Sequence, residues 1–146
     1  FAFVSFLCTS AMKRLMLIFV LTAITSFCMA QDEIRKSIYF GGGSYYIDEL
    51  QAKELSHWID SIPNLLDKYE IQLISHTDPI GGKERNAWLS EMRSGSVLQL
   101  LLQMDIPEKI IHRKDWGLEN PVYSNDSFQG MVMNRRVDVI LYPIVF

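Results

Sequence analysis

"EIQLISHTDPIGGKERNAWLSEMRSGSVLQLLLQM", residues Glu70 to Met104, passes from a strand pattern through a turn into a helix pattern. Glu70-Ile71-Gln72-Leu73-Ile74 reads as a strand entering Ser75 to Asp78. Pro79-Ile80-Gly81-Gly82 is turn chemistry. From about Lys83 to Met104 the residues are good helix formers. On that helix Leu89, Val97, Leu100, Leu101 and Met104 make an apolar stripe, and Arg93 interrupts it, four residues from both Leu89 and Val97. A guanidinium does not shed its proton to escape burial, so at this position it calls for an anion. Asp78, at the carboxyl end of the strand, is the nearest acid able to reach the helical edge that Arg93 shares with Asn86 and Ser90. Two readings follow: a structural ion pair that docks the helix, or a ligand site at a strand end beside the first turn of the next helix.

Outward from this unit the pattern continues. Ser37-Ile38-Tyr39-Phe40 predicts a strand stopped by Gly41-Gly42-Gly43-Ser44. Asp48 caps a helix in which Leu55, Trp58, Ile59 and Ile62 fall at helical spacing, and Pro63 ends it. Asp105-Ile106-Pro107 stops the second helix, Ile110 to Arg113 predicts a third strand, Trp116 to Met133 a loop-rich excursion, and Val137 to Tyr142 a closing strand. The order β-α-β-α-β-loop-β is that of an α/β two-layer sandwich with helices on one face of a small sheet.

The first thirty residues read differently. Met12-Lys13-Arg14 is a basic start, Leu15 to Phe27 an apolar run, and Cys28-Met29-Ala30 a small-residue site before the polar Gln31-Asp32-Glu33, the layout of a secretory signal peptide. Phe1 to Ala11 precede this start and read as translated upstream sequence, with Met12 the initiator. Cleavage after Ala30, lipidation of Cys28, which Phe27 rather than a small residue precedes, and retention as an anchor are three fates of this segment, all of which imply export. After cleavage a single domain of residues 31–146 would remain, without a cysteine and so without a disulfide, dependent on its core. The formal charge of the whole chain is −3, and removing Lys13 and Arg14 makes it more acidic, which argues against a nucleic-acid partner.

His76-Thr77-Asp78, a glycine at 81 or 82, Asn86, Leu89-Ser90, Arg93 and Val97, then Asn134-Arg135-Arg136-Val137, together resemble the OmpA-like domain, with its HTD turn, N-x-x-L-S-x-x-R helix and closing N-R-R-V strand. The resemblance covers about Ser37 to Leu141. It implies a β-α-β-α-β-β sandwich that binds peptidoglycan through the diaminopimelate of the stem peptide. Asp78 and Arg93 would be the principal contacts, a carboxylate for the ligand's ammonium and a guanidinium for its carboxylate. Asn86 would add a neutral hydrogen bond, Thr77 would orient the turn, and Arg135 is a further contact that can equally be structural. The implied place is the periplasm or outer-membrane side of a Gram-negative-type envelope, with envelope proteins as further partners and membrane association only through the signal segment.

Three departures stand out. Ser75 replaces the family's glycine before HTD, and Gly41-Gly42-Gly43 stands where the family often has an acid and an aromatic. Neither a barrel nor a long linker precedes the domain, which therefore reads as a free-standing module. No cofactor or metal is called for, because His57, His76 and His112 are scattered. Nor does any G-x-S-x-G or H-E-x-x-H motif point to an enzyme. Trp58 reads as core, and Trp88 and Trp116 either pack loops or border a glycan. The rival to ligand binding is an envelope protein-interaction module of the same fold with its ligand site lost.

Overall fold

A computed structural model describes residues 33–144, and the signal-segment reading lies outside them. The elements are β1 (Ile34–Tyr39), α1 (Glu49–Asp60), the one-turn α2 (Leu65–Lys68), β2 (Tyr69–His76), α3 (Lys83–Gln103), a 3-10 turn (Glu108–Ile110), β3 (Ile111–Gly117), α4 (Phe128–Asn134) and β4 (Arg136–Pro143). The four strands are ordered β1-β4-β2-β3, with β4 antiparallel to both neighbours and β2 parallel to β3. This is the α/β two-layer sandwich, a small mixed sheet with its helices.

Alternation sorts the sheet into two faces. Register aligns Ile38 with Val137, Ser75 with Val137, and Leu73 with Val139, so these side chains share the face that α1 and α3 cover. There Ile38, Leu55, Ile71, Leu73, Val97, Leu101, Val137 and Val139 pack as the core, each buried to 0% exposure. Burying aliphatic side chains of this size contributes about 1.5–3 kcal/mol apiece. On the opposite face His76 is paired with Arg136 and Ile74 with Asp138. The buried residues of α3 include Asn86, Leu89, Ser90, Arg93, Val97 and Leu101, so the stripe faces the sheet with Arg93 inside it. Leu100 and Met104 sit at its margin, partly buried.

Two boundaries differ from the sequence reading. β1 starts at Ile34, because the charged Lys36 is accommodated by an ion pair of 2.9 Å with Glu54 of α1. The excursion of Trp116 to Met133 is less loop-like than its composition suggests. Trp116 still belongs to β3, and α4 forms within the excursion behind Ser127, whose Oγ accepts from the Gly130 backbone N–H at 3.0 Å. A helix this short shows too little periodicity to announce itself, and Gly130 reads as a breaker. It is there for space, since a Cβ at Gly130 would lie 1.8 Å from the Ser124 carbonyl oxygen.

Candidate functional site

The site is built at the carboxyl end of β2. Thr77 continues the strand by donating its backbone N–H to Gly117 O at 2.8 Å, and Asp78 then turns the chain, its Oδ1 accepting from the Ile80 N–H at 3.2 Å. Gly81 and Gly82 have φ of 106° and 81°, a region that favours glycine, and they deliver the chain into α3. Asn86 holds this turn from the helix side. Its Nδ2 donates to Ile80 O and to Gly82 O, both at 3.0 Å. Ser90, one turn on, donates to Ser75 O at 3.2 Å and accepts from the Gly117 N–H at 3.1 Å, pinning α3 to β2 and β3 at once.

Arg93 is 1% exposed and satisfied in an unexpected way. Its Nε donates to Ser44 O at 2.9 Å, Nη2 to Gly41 O at 3.0 Å and Nη1 to His76 O at 3.3 Å, and its guanidinium lies 5.1 Å from the centre of the Phe40 ring. Carbonyl dipoles and an aromatic face thus replace the anion that burial calls for. Burial pushes its pKa down to about 10, opposed by the nearby Asp78 charge and assisted by Arg135, which leaves it protonated at neutral pH. The expectation of an Asp78–Arg93 bridge needs correcting accordingly. Asp78 acts on Arg93 through space.

The direct partner of Asp78 is Arg135, whose Nε lies 2.5 Å from Oδ2. The pair is close to buried, with side-chain exposures of 13% and 8%. Gly42 lies over it, since a Cβ there would stand 3.3 Å from Arg135 Nη1. The bare Gly41-Gly42-Gly43 backbone is therefore what admits a second guanidinium to this pocket, and Gly41 also supplies a carbonyl to the first. All five residues expected at the site converge on the β2–α3 junction, with Arg135 arriving from the link between α4 and β4. The sequence reading did not reach the carbonyls of Gly41, Ser44 and His76 as the seat of Arg93. The glycine run beside a buried arginine was the available signal. Thr77 Oγ1 and Asn86 Oδ1 are buried here without a hydrogen-bond partner among the described residues.

A second buried polar cluster lies on the opposite face. Asp138 accepts from Arg136 Nε at 3.0 and 3.1 Å and from Ser37 Oγ at 2.5 Å, and His76 Nε2 stands 4.0 Å from it. Asn134 ties the excursion to this cluster, donating to Tyr123 O at 2.7 Å and accepting from the Tyr123 N–H at 3.1 Å, while the Tyr123 ring stacks with Arg136 at 5.4 Å. So the Asn134-Arg135-Arg136 segment divides its labour. Arg135 serves the strand-end site, and its neighbours lock the excursion onto the sheet.

A mixed sheet β1-β4-β2-β3, an acid at the end of β2 and an arginine buried in the following helix define the OmpA-like class. The chain belongs to the OmpA family, whose model matches residues 39–135. It is 34% identical over 77 residues to the probable lipoprotein YiaD of Escherichia coli, covering 53% of this chain and 35% of that protein. Over 118 residues it is 34% identical to motility protein B of Bacillus subtilis, covering 75% of this chain and 44% of that one. The chain thus spans less than half the length of these relatives. Among solved structures it is similar to the peptidoglycan-associated lipoprotein of Burkholderia pseudomallei, with a TM-score of 0.62 at 23% identity over 73% of this chain and 90% of that one. The C-terminal domain of Helicobacter pylori MotB matches with a TM-score of 0.66 at 20% identity, over 73% of this chain and 84% of that domain. These two likenesses concern the fold.

Proposed function

We propose that the protein is an exported, non-catalytic module of the cell envelope that binds peptidoglycan through the zwitterionic end of diaminopimelate. The single observation that carries the reading is one nearly buried carboxylate, Asp78, placed beside two guanidinium groups at a strand end. Asp78 takes the ligand's ammonium, and the positive field of Arg93 and Arg135 takes its carboxylate. Asp78 is paired with Arg135, so the ligand's ammonium replaces an internal cation, and Arg135 is freed to meet the carboxylate. Arg93, seated on three carbonyls, serves chiefly as the charged floor and as the clamp on the Gly41 to Ser44 loop. Thr77 Oγ1 and Asn86 Oδ1 hold unused hydrogen-bonding capacity beside the turn. Kinship with a probable lipoprotein, an outer membrane protein A and a motility protein supports an envelope location.

The reading is tested by sedimenting the purified chain with isolated sacculi. Wild type is expected in the pellet and Asp78→Asn, which can keep the turn to Ile80 while losing its charge, in the supernatant. A wild type that stays soluble, or a folded Asp78→Asn that pellets equally, overturns it. The internal Asp78–Arg135 pair favours one rival, a protein-interaction module whose ligand site is permanently closed. Wild type left in the supernatant is the result that rival expects.

A further inference from the structure

Beside the strand-end site runs a second feature that the zwitterion clamp does not use. The loop before α1 and one side of α3 enclose a groove of about 380 Å³, lined among others by Tyr45, Tyr46, Ile47, Ser96, Gln99 and Gln103. No charged side chain lines it among the described residues. Tyr45 and Tyr46 are 43% and 73% exposed, and Trp88, 51% exposed, meets Tyr45 edge to face at 5.9 Å between ring centres. That contact gives the Tyr45 ring a packing partner at the head of the groove while leaving much of its area accessible.

The chemistry of the groove is specific. Aromatic rings offer flat apolar faces, the Gln99 and Gln103 amides and the Ser96 hydroxyl offer neutral donors and acceptors, and the absence of charge leaves nothing to attract an ionic ligand. A neutral ring with an apolar face, equatorial hydroxyls and an acetamido group fits that set. We propose that this groove is a sugar subsite that takes an N-acetylated amino sugar of the glycan strand whose stem peptide occupies the Asp78 site. The inference rests on the peptidoglycan reading above and extends it from the peptide to the glycan.

Continuity between the two sites supports the assignment. Ser44 receives the Arg93 Nε–H, and Tyr45 is the next residue, so the wall of one site becomes the head of the other. Along α3, Ser96 and Gln103 lie three and ten residues past Arg93. At 1.5 Å of rise per residue the groove therefore extends about 5 to 15 Å along the axis from the arginine. An extended peptide of about three residues spans roughly 10 Å, enough to join a ligand end held at Asp78 to a sugar in the groove.

The test compares two probes on the purified full chain by calorimetry: a diaminopimelate-containing stem tripeptide, and the same tripeptide carrying its N-acetylglucosaminyl-N-acetylmuramic acid disaccharide. Wild type is expected to bind the disaccharide form about tenfold more tightly, the scale set by burying one aromatic face. Tyr45→Ala and Gln99→Ala are expected to erase that preference while leaving affinity for the bare tripeptide within about twofold. Equal wild-type affinity for both probes overturns the sugar subsite and leaves the peptide site standing. Binding of neither probe overturns the peptidoglycan reading and the subsite with it, and a groove that instead serves a protein partner gives the equal-affinity result.

Discussion

Arg135 reaches across from the link between α4 and β4 to place its Nε 2.5 Å from Asp78 Oδ2, and it does so beneath Gly42, where a Cβ would crowd its guanidinium at 3.3 Å. An ion pair this shielded is coupled more strongly than a surface pair, which contributes about 0–1 kcal/mol. A double-mutant cycle of Asp78→Asn and Arg135→Gln, read by denaturant unfolding, is expected to give a coupling of about 1–3 kcal/mol. A value indistinguishable from zero would mean that the two charges do not hold each other in solution.

Arg93 is expected to resist even its mildest replacement. Lysine carries the same charge but is a compact ammonium, and it cannot span the Ser44, Gly41 and His76 carbonyls that the planar fork reaches together. Arg93→Lys should destabilise the fold by about 2–4 kcal/mol, through carbonyls left unpaired and a gap against Phe40. Thermal unfolding measures it. A loss below about 0.5 kcal/mol would show that the loop carbonyls find other donors.

The short helix α4 depends on Gly130. Alanine there would put a methyl carbon 1.8 Å from Ser124 O, and backbone cannot yield cheaply at that distance. Gly130→Ala is expected to cost about 1–3 kcal/mol or more and to loosen the excursion first, visible as faster amide exchange at Tyr123, whose backbone Asn134 holds. Wild-type exchange protection at Tyr123 in the variant would contradict this.

His76 is held below the ordinary histidine range by burial first and by the Arg136 charge second, with Asp138 opposing. Its neutral form is therefore the one the fold prefers. Its contribution to stability is fully present above the unfolded-state value of about 6.5 and is lost as pH falls from there towards the folded value, because the unfolded chain takes up the proton first. Between pH 6.5 and 5.5 this amounts to at most about 1 kcal/mol. His76→Gln should flatten that part of the stability profile. An unchanged slope would assign the acid loss elsewhere.

Much of this architecture was legible in the residues. The Glu70 to Met104 stretch announced a strand, a turn and a helix because its apolar spacing changes period across Pro79 to Gly82, and burial of Arg93 followed from its place between Leu89 and Val97. The partner of Arg93 was not legible, because backbone carbonyls carry no residue signature. A guanidinium seated on Gly41, Ser44 and His76 oxygens looks, in sequence, like one awaiting an acid. Asp78 was placed correctly at the strand end, but its pairing with Arg135 bridges a separation of 57 residues that no local pattern encodes. The β1 start and α4 escaped for smaller reasons: two charges at Arg35 and Lys36 in one case, and one glycine inside a single short helix in the other.

The strand order has one more consequence, for the time course of folding. β4, the most C-terminal of the described strands, lies between β1 and β2 and supplies hydrogen-bonded partners to both. While a ribosome is still translating residues ahead of Arg136, the first strand has no neighbour and the acid at Asp78 has no Arg135. β2 and β3 can pair on their own, but completion of the sheet must wait for β4, whose pairing with β1 spans the largest sequence separations among the described strands. Until β4 is in place β1 has no strand partner, so the four-stranded sheet closes in a late, long-range step that also delivers Arg135 to Asp78.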